Sequence, residues 1–348
     1  MSQAPVNPES TGRPTGSSYW SLLIRAKVIR AAAALGFALH RLTHSLPSPS
    51  STIWVDSTLG TSKAKKAIRL DIYNPDTGSS SMNRNTGRPA MIVFHGGGFV
   101  LGSGTDDASY AASLTVHGIV VIAVSYRLAP ECPYPTPLED CASAILHIQQ
   151  NSRQYGIDQS QLYISGFSAG GNLASACLHL FNNPTKFQQY DLPPSLPAFQ
   201  GGILFYPLLD WTKSRESKRN TCERPELTLP TGLTNLFDES YLRPNTLDLT
   251  DPLLSPGAAS DEYLKALPPI HLILCEHDML RREGDELAAR MMRLGKEISQ
   301  RLVEGERHGW DKVPFGVKDS VGVEYQAAWE VLEGWLRRDE SRSDTSIP

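Results

Sequence analysis

Seven short strand-like runs, several of them rich in Val and Ile, recur along the 348-residue chain at 68–73, 91–95, 119–126, 162–165, 203–206, 270–275 and 299–303. Several are apolar at successive rather than alternate positions, the pattern of strands covered on both faces. Segments with helical spacing fall between or after them, at 106–117, 137–155, 171–180, 283–294 and 323–337. This rhythm predicts an α/β fold, a mostly parallel sheet with helices on both faces.

The segments outside that rhythm set the domain boundaries. Residues 1–18 are largely Pro, Ser, Gly and Thr and predict a disordered start. Residues 45–51 read as a linker, 76–89 as a hairpin or surface loop, and 338–348 as a charged, frayed tail. Residues 208–260 hold several prolines and two or three short helical pieces but no strand pattern, and so form an insertion. In residues 19–42, Arg25, Lys27 and Arg30 precede an apolar run too short to span a membrane, and no small-residue cleavage site follows. At helical period Trp20, Leu23, Ile24, Ala31, Leu35, Ala38 and Leu42 share one stripe. The expected structure is an amphipathic helix with that stripe packed on the protein. Peripheral attachment to a membrane surface is the second reading, and a cleaved signal the third. The expected division is a start at 1–18, a helix and linker at 19–50, a core at 51–207 and 261–338, an insertion at 208–260 and a tail at 339–348.

The sharpest chemical signal is Gly166-Phe167-Ser168-Ala169-Gly170, between an apolar run and a helical one. In a strand–turn–helix setting, G-x-S-x-G is the nucleophile elbow: the sharp turn lifts the serine hydroxyl clear of the sheet. The helix that follows points its positive end at charge developing on a substrate oxygen. A second signal, His95-Gly96-Gly97-Gly98-Phe99, ends the run 91–95. Consecutive glycines let backbone N–H groups approach a ligand, as in the oxyanion hole of esterases and lipases, and the Lys-Ser/Thr ending of a phosphate-binding loop is missing. His95 is read as a brace for this loop rather than as a base.

A serine hydroxyl needs a base, and the base needs an orienting acid. In chain order Ser, Asp or Glu, His, the candidates are Ser168, Asp278 after the run 270–275, and His308 after the run 299–303. Glu276 is an alternative acid. His277 adjoins its own acid, His271 lies in a strand, and His117, His147 and His179 lie in or beside helices. His40 and His44 have the spacing of a helical metal pair but no third ligand, so no metal site is assigned.

These segments together resemble the hormone-sensitive-lipase-like branch of the α/β-hydrolases. The matching stretches are HGGGF at 95–99, YRLAPECPYPTPLED at 126–140, GFSAGGNLA at 166–174, DPLLSP at 251–256, HDMLRREG at 277–284 and HGW at 308–310. The resemblance implies an α/β-hydrolase fold with a helical cap, for which 19–45 and 208–260 are the natural segments. It implies a triad of Ser168, Asp278 and His308 and an oxyanion hole from the N–H groups of Gly97, Gly98 and Ala169. Many relatives carry Asp or Thr at the position of Phe167, and Phe at that of Trp310. Tyr126, Arg127, Glu139 and Asp140 are expected to form a structural charge network.

The implied activity is that of a cofactor-free serine carboxylesterase acting on short or medium acyl esters, acetyl included, of an apolar small molecule such as a natural product. Phe99, Tyr206 and Trp310 are candidate substrate contacts, with Phe205 as further apolar lining. Thioester or amide hydrolysis and acyl transfer use the same parts, and a non-catalytic ligand receptor is the rival from another class. Formal net charge is −4, with no basic patch for nucleic acid. The five cysteines, Cys132, Cys141, Cys177, Cys222 and Cys275, form no C-x-x-C pair, and no N-x-S/T acceptor occurs. Both features favour a reduced, cytoplasmic setting, with a weak membrane-surface contact through residues 19–42 as the alternative.

Overall fold

The computed structural model describes residues 16–75, 87–312 and 318–344. Its strands are β1 (Ser51–Ser57), β2 (Ala64–Tyr73), β3 (Arg88–Phe94), β4 (Val120–Ser125), β5 (Ile157–Phe167), β6 (Phe199–Phe205), β7 (Ile270–His277) and β8 (Ile298–Arg307). They form one sheet in the order β1-β2-β4-β3-β5-β6-β7-β8. β2 runs antiparallel to β1 and to β4, and every pairing from β4 to β8 is parallel. Ile122, Ile92 and Ile164 stand in register across the three central strands and are fully buried. β-Branched side chains fit such a pleated, doubly covered surface.

The helices are α1 (Tyr19–Thr43), α2 (Ala108–Thr115), α3 (Thr136–Gln150), α4 (Ala169–Asn182), α5 (Arg215–Asn220), α6 (Thr231–Tyr241), α7 (Asp261–Lys265), α8 (Arg281–Arg293) and α9 (Asp319–Asp344). Alternate residues of each central strand enter opposite cores. Ile92 and Phe94 pack with α3, α4 and α8, whereas Met91 and Val93 pack with α2 and α9. A Cβ on Gly201 of β6 would lie 2.4 Å from the Trp335 ring, so the glycine lets α9 approach the sheet.

All seven strand-like runs lie in or overlap strands, but β1 was not anticipated. Its sequence, STIWVDS, buries only Val55 and Ser57, which leaves too little apolar pattern to read. β2 and β3 are separated by β4, so the segment joining them is not a hairpin; residues 76–86 of it lie outside the described residues. The expected disordered start is outside them as far as residue 15, but Ser17 donates its N–H to Glu239 and Ser18 caps α1. The expected frayed tail is helical through Asp344. Residues 208–260 contribute α5 and α6 and no strand.

The largest departure is the orientation of α1. Trp20, Ile24, Leu35 and Leu42, expected to pack inward, face solvent, and the buried positions are Leu22, Ala26 and His40. Arg30 fixes this orientation by donating to the carbonyls of Val100 and Ala129 and to both oxygens of Glu131.

The β1–β2 hairpin is tied to the body by the 126–140 motif. Arg127 clasps both oxygens of buried Asp140, at 2.9 and 2.6 Å, and donates to the Ser62 carbonyl and the Ser57 hydroxyl. Glu139 accepts from the backbone N–H groups of Thr61 and Ser62. Arg127→Met would leave Asp140 buried without its counter-charge, and breaking such a pair costs about 3 kcal/mol. Urea unfolding should show that loss; a change below about 1 kcal/mol, the scale of a surface pair, would contradict the structural role.

Candidate active site

The parallel register sets the site. Phe94 at the end of β3 lies opposite Gly166 near the end of β5, so the chain leaves the sheet from both strands side by side. In open parallel sheets this carboxyl edge is where ligands bind. Ser168 stands at the junction of β5 and α4 with φ 53° and ψ −112°, a strained state for a residue with a side chain. Three hydrogen bonds hold it there. Its N–H donates to the Phe205 carbonyl, and its own carbonyl accepts from Asn172 and Leu208. The flanking glycines are required by contact: a Cβ on Gly166 would lie 2.1 Å from the Gly170 carbonyl oxygen, and one on Gly170 would lie 2.0 Å from the Phe94 oxygen.

The other two residues singled out with Ser168 arrive from the loops after β7 and β8. His308 Nε2 is 2.8 Å from Ser168 Oγ, and His308 Nδ1 is 2.6 Å from Asp278 Oδ2. Asp278 is buried and accepts the Leu280 N–H on its second oxygen, which fixes the carboxylate plane. Ser168 itself remains partly accessible. Glu276, the alternative acid, turns away and accepts the Gly305 N–H. His95 is buried, stacks on Tyr126 at 4.2 Å and bonds the Gly96 carbonyl through Nδ1. Burial lowers its pKa, and no contact joins it to Ser168 among the described residues.

The Gly96–Gly98 loop lies against this elbow. A Cβ on Gly96 would stand 3.2 Å from the Phe167 carbonyl oxygen. Gly97 and Gly98 adopt φ +107° and +60°, and the N–H groups of Gly97, Gly98 and Ala169 donate to no acceptor among the described residues. The site thus combines a hydroxyl, an imidazole, a carboxylate and a group of free N–H donors. No cluster of three metal-ligating side chains occurs among the described residues.

A family model described as alpha/beta hydrolase fold matches residues 91–312. The chain belongs to the hormone-sensitive-lipase-like α/β-hydrolases. It is 31% identical to the arylesterase of Saccharolobus solfataricus over 70% of this chain and 75% of that protein. It is 32% identical to the esterase LipI of Mycobacterium tuberculosis over 62% of this chain and 65% of that one. Several other curated relatives are matched over about three fifths of their length. Among solved structures, an ester-hydrolase from the metagenome of Lake Arreo, complexed with a derivative of bipyridine phosphonate, superposes with a TM-score of 0.72 at 26% identity over 90% of each chain.

Two features of this α/β-hydrolase were not read from its sequence. Phe237 of α6 sits directly over the glycine loop, where a Cβ on Gly98 would fall 2.1 Å from its ring. Behind His308, Lys312 lies 2.6 Å from both Asp107 and Asp311, and its ammonium sits 3.6 Å from the centre of the Phe167 ring. Burial raises the Asp107 pKa to about 6. Asp311 also accepts the hydroxyls of Tyr206 and Tyr325. Phe167 is therefore a platform for a half-buried cation, which gives the departure at that position a local physical role.

The three expected substrate contacts lie in aromatic packing. Phe99 stacks on Tyr241 at 3.6 Å, and Tyr206 packs edge-on against both His308 and Trp310. All three side chains are buried with almost no accessible surface. Phe205 likewise stacks on Phe167 within the core. Their aromatic, apolar character was the signal for these assignments.

Gly98→Ala combines a disfavoured φ with a collision against Phe237. We expect kcat/KM for a soluble ester to fall by about 100-fold or more, the scale of one displaced oxyanion donor. Adding Phe237→Ala should remove the collision and recover only part of the loss. Full recovery would mean that the backbone of Gly98 does not matter.

Proposed function

We propose that this chain is a cofactor-free serine carboxylesterase, with Ser168, His308 and Asp278 as triad and the N–H groups of Gly97, Gly98 and Ala169 as oxyanion hole. The observation that carries the reading is the continuous hydrogen-bonded line Ser168–His308–Asp278 beside unpaired backbone donors. His308 Nε2 takes the Ser168 proton as Oγ attacks the ester carbonyl. The tetrahedral oxyanion is held by the N–H groups. His308 then protonates the departing alcohol and leaves an acyl-serine. Water enters, gives its proton to His308 and attacks the acyl carbon. The returning proton restores Ser168 as the acid is released. Asp278 holds the Nδ1–H tautomer and stabilises the imidazolium formed in each half.

The substrate class we propose is a short to medium acyl ester of an apolar alcohol. Phe237 over Gly98 supports an apolar but narrow approach, and the relatives' names, arylesterase and esterase, are consistent with it. A cytoplasmic setting is proposed on the unpaired, largely buried cysteines.

Ser168→Ala and His308→Gln should each lower kcat on a p-nitrophenyl acetate-to-octanoate panel by on the order of 10⁴-fold, with unchanged melting temperature. Activity within about tenfold of the parent in either variant would remove the mechanism. Faster turnover of matched thioesters or anilides than of esters would reassign the substrate class.

A further inference from the structure

The outward face of α1 is an exposed apolar stripe that the proposed reaction leaves unused. Trp20, Ile24, Val28, Leu35, Leu39 and Leu42 are 69, 63, 64, 62, 47 and 82% exposed. At 100° per residue they fall on one side of the helix, and at about 1.5 Å per residue the stripe is roughly 33 Å long. Exposed apolar surface this continuous marks an interaction site in a folded protein. The helix cannot turn the stripe inward, because Arg30 anchors its other face to the body at the Val100 and Ala129 carbonyls.

Charge selects the occupant. No acidic residue occurs anywhere in α1, whereas Lys27 and Arg41 border the stripe. Lys27 reaches Glu131 at 3.2 Å and still leaves 64% of its side chain exposed. A second copy laid antiparallel across the centre of the stripe would set Lys27 of one helix opposite Leu35 of the other and Arg41 opposite Ser21, so neither cation would meet a carboxylate of the partner helix. An anionic lipid surface meets both features at once, taking the apolar side chains into its acyl boundary and the flanking cations at its headgroups. No helix among the described residues is long and apolar enough to cross a membrane, so α1 would lie in the surface plane.

We infer that the exposed face of α1 docks this protein on anionic lipid surfaces. The helix is bound to the Val100 carbonyl, two residues beyond Gly98, so docking would hold the proposed oxyanion loop close to the lipid boundary. This last consequence rests on the esterase reading; the docking itself does not.

The test is co-sedimentation of the full chain with vesicles of phosphatidylcholine alone or mixed with phosphatidylserine, at low and high salt. Binding is expected to phosphatidylserine vesicles, to weaken with salt, and to fall by about tenfold or more in Ile24→Glu/Leu35→Glu. That variant, altered only at exposed positions, should keep the parent's melting temperature and its turnover of a soluble ester. Absence of binding to either vesicle, or equal binding to both without salt dependence, would overturn the inference. So would a vesicle-free dimer, seen by light scattering, that dissociates in the same variant. Vesicle binding with no ester turnover in any condition would sink the esterase reading and leave the docking intact.

Discussion

Everything in this candidate active site depends on one strained turn, Ser168 at φ 53°, which carries the chain from a buried strand into a buried helix in a single residue. Strain of this kind persists only where the surroundings over-determine it. Here they do so through β6: the Phe205 carbonyl takes the Ser168 N–H, and the Leu208 N–H takes the Ser168 carbonyl. Asn172, one turn into α4, then donates to the carbonyls of Leu208 and Leu254, so the two ends of the insertion are fastened to the same helix. Fold, nucleophile and the roots of α5 and α6 thus share a few buried hydrogen bonds.

A second layer orders the imidazole. Asp278 fixes one ring nitrogen, and Tyr206 packs its edge against the ring while its hydroxyl reaches Asp311. Asp311 belongs to the loop that carries His308, and Lys312 ties that loop to Asp107 at the start of α2. An ammonium on a half-buried lysine, held between two buried carboxylate side chains, is costly to form but more costly to break, which suits a part that must keep its geometry. The Glu283 carboxylate plays a comparable part for the insertion, accepting from Leu209, Asp210 and Lys218.

The central strands and the elbow were legible because each leaves a local mark: a doubly covered strand is apolar without interruption, and G-x-S-x-G imposes a backbone shape. β1 left no such mark, being an edge strand with two buried side chains. The stripe on α1 was legible as a stripe, since helical period fixes which residues share a face. Which face meets the protein is decided by Arg30 and distant carbonyls, and these have no sequence pattern. The cluster of Asp107, Asp311 and Lys312 has no sequence pattern either, and Phe237 became a neighbour of Gly98 only through the path of the insertion.

The claim that joins these observations is that Ser168 is a nucleophile made reactive by His308. Treating the full-length chain with diethyl p-nitrophenyl phosphate and weighing it intact measures this directly, because the serine displaces p-nitrophenolate and keeps the phosphoryl group. One diethylphosphoryl group per chain, located on the peptide containing Ser168 and formed far more slowly in His308→Gln, is the expected result. Labelling at another residue, or equal rates in the two proteins, would contradict the account.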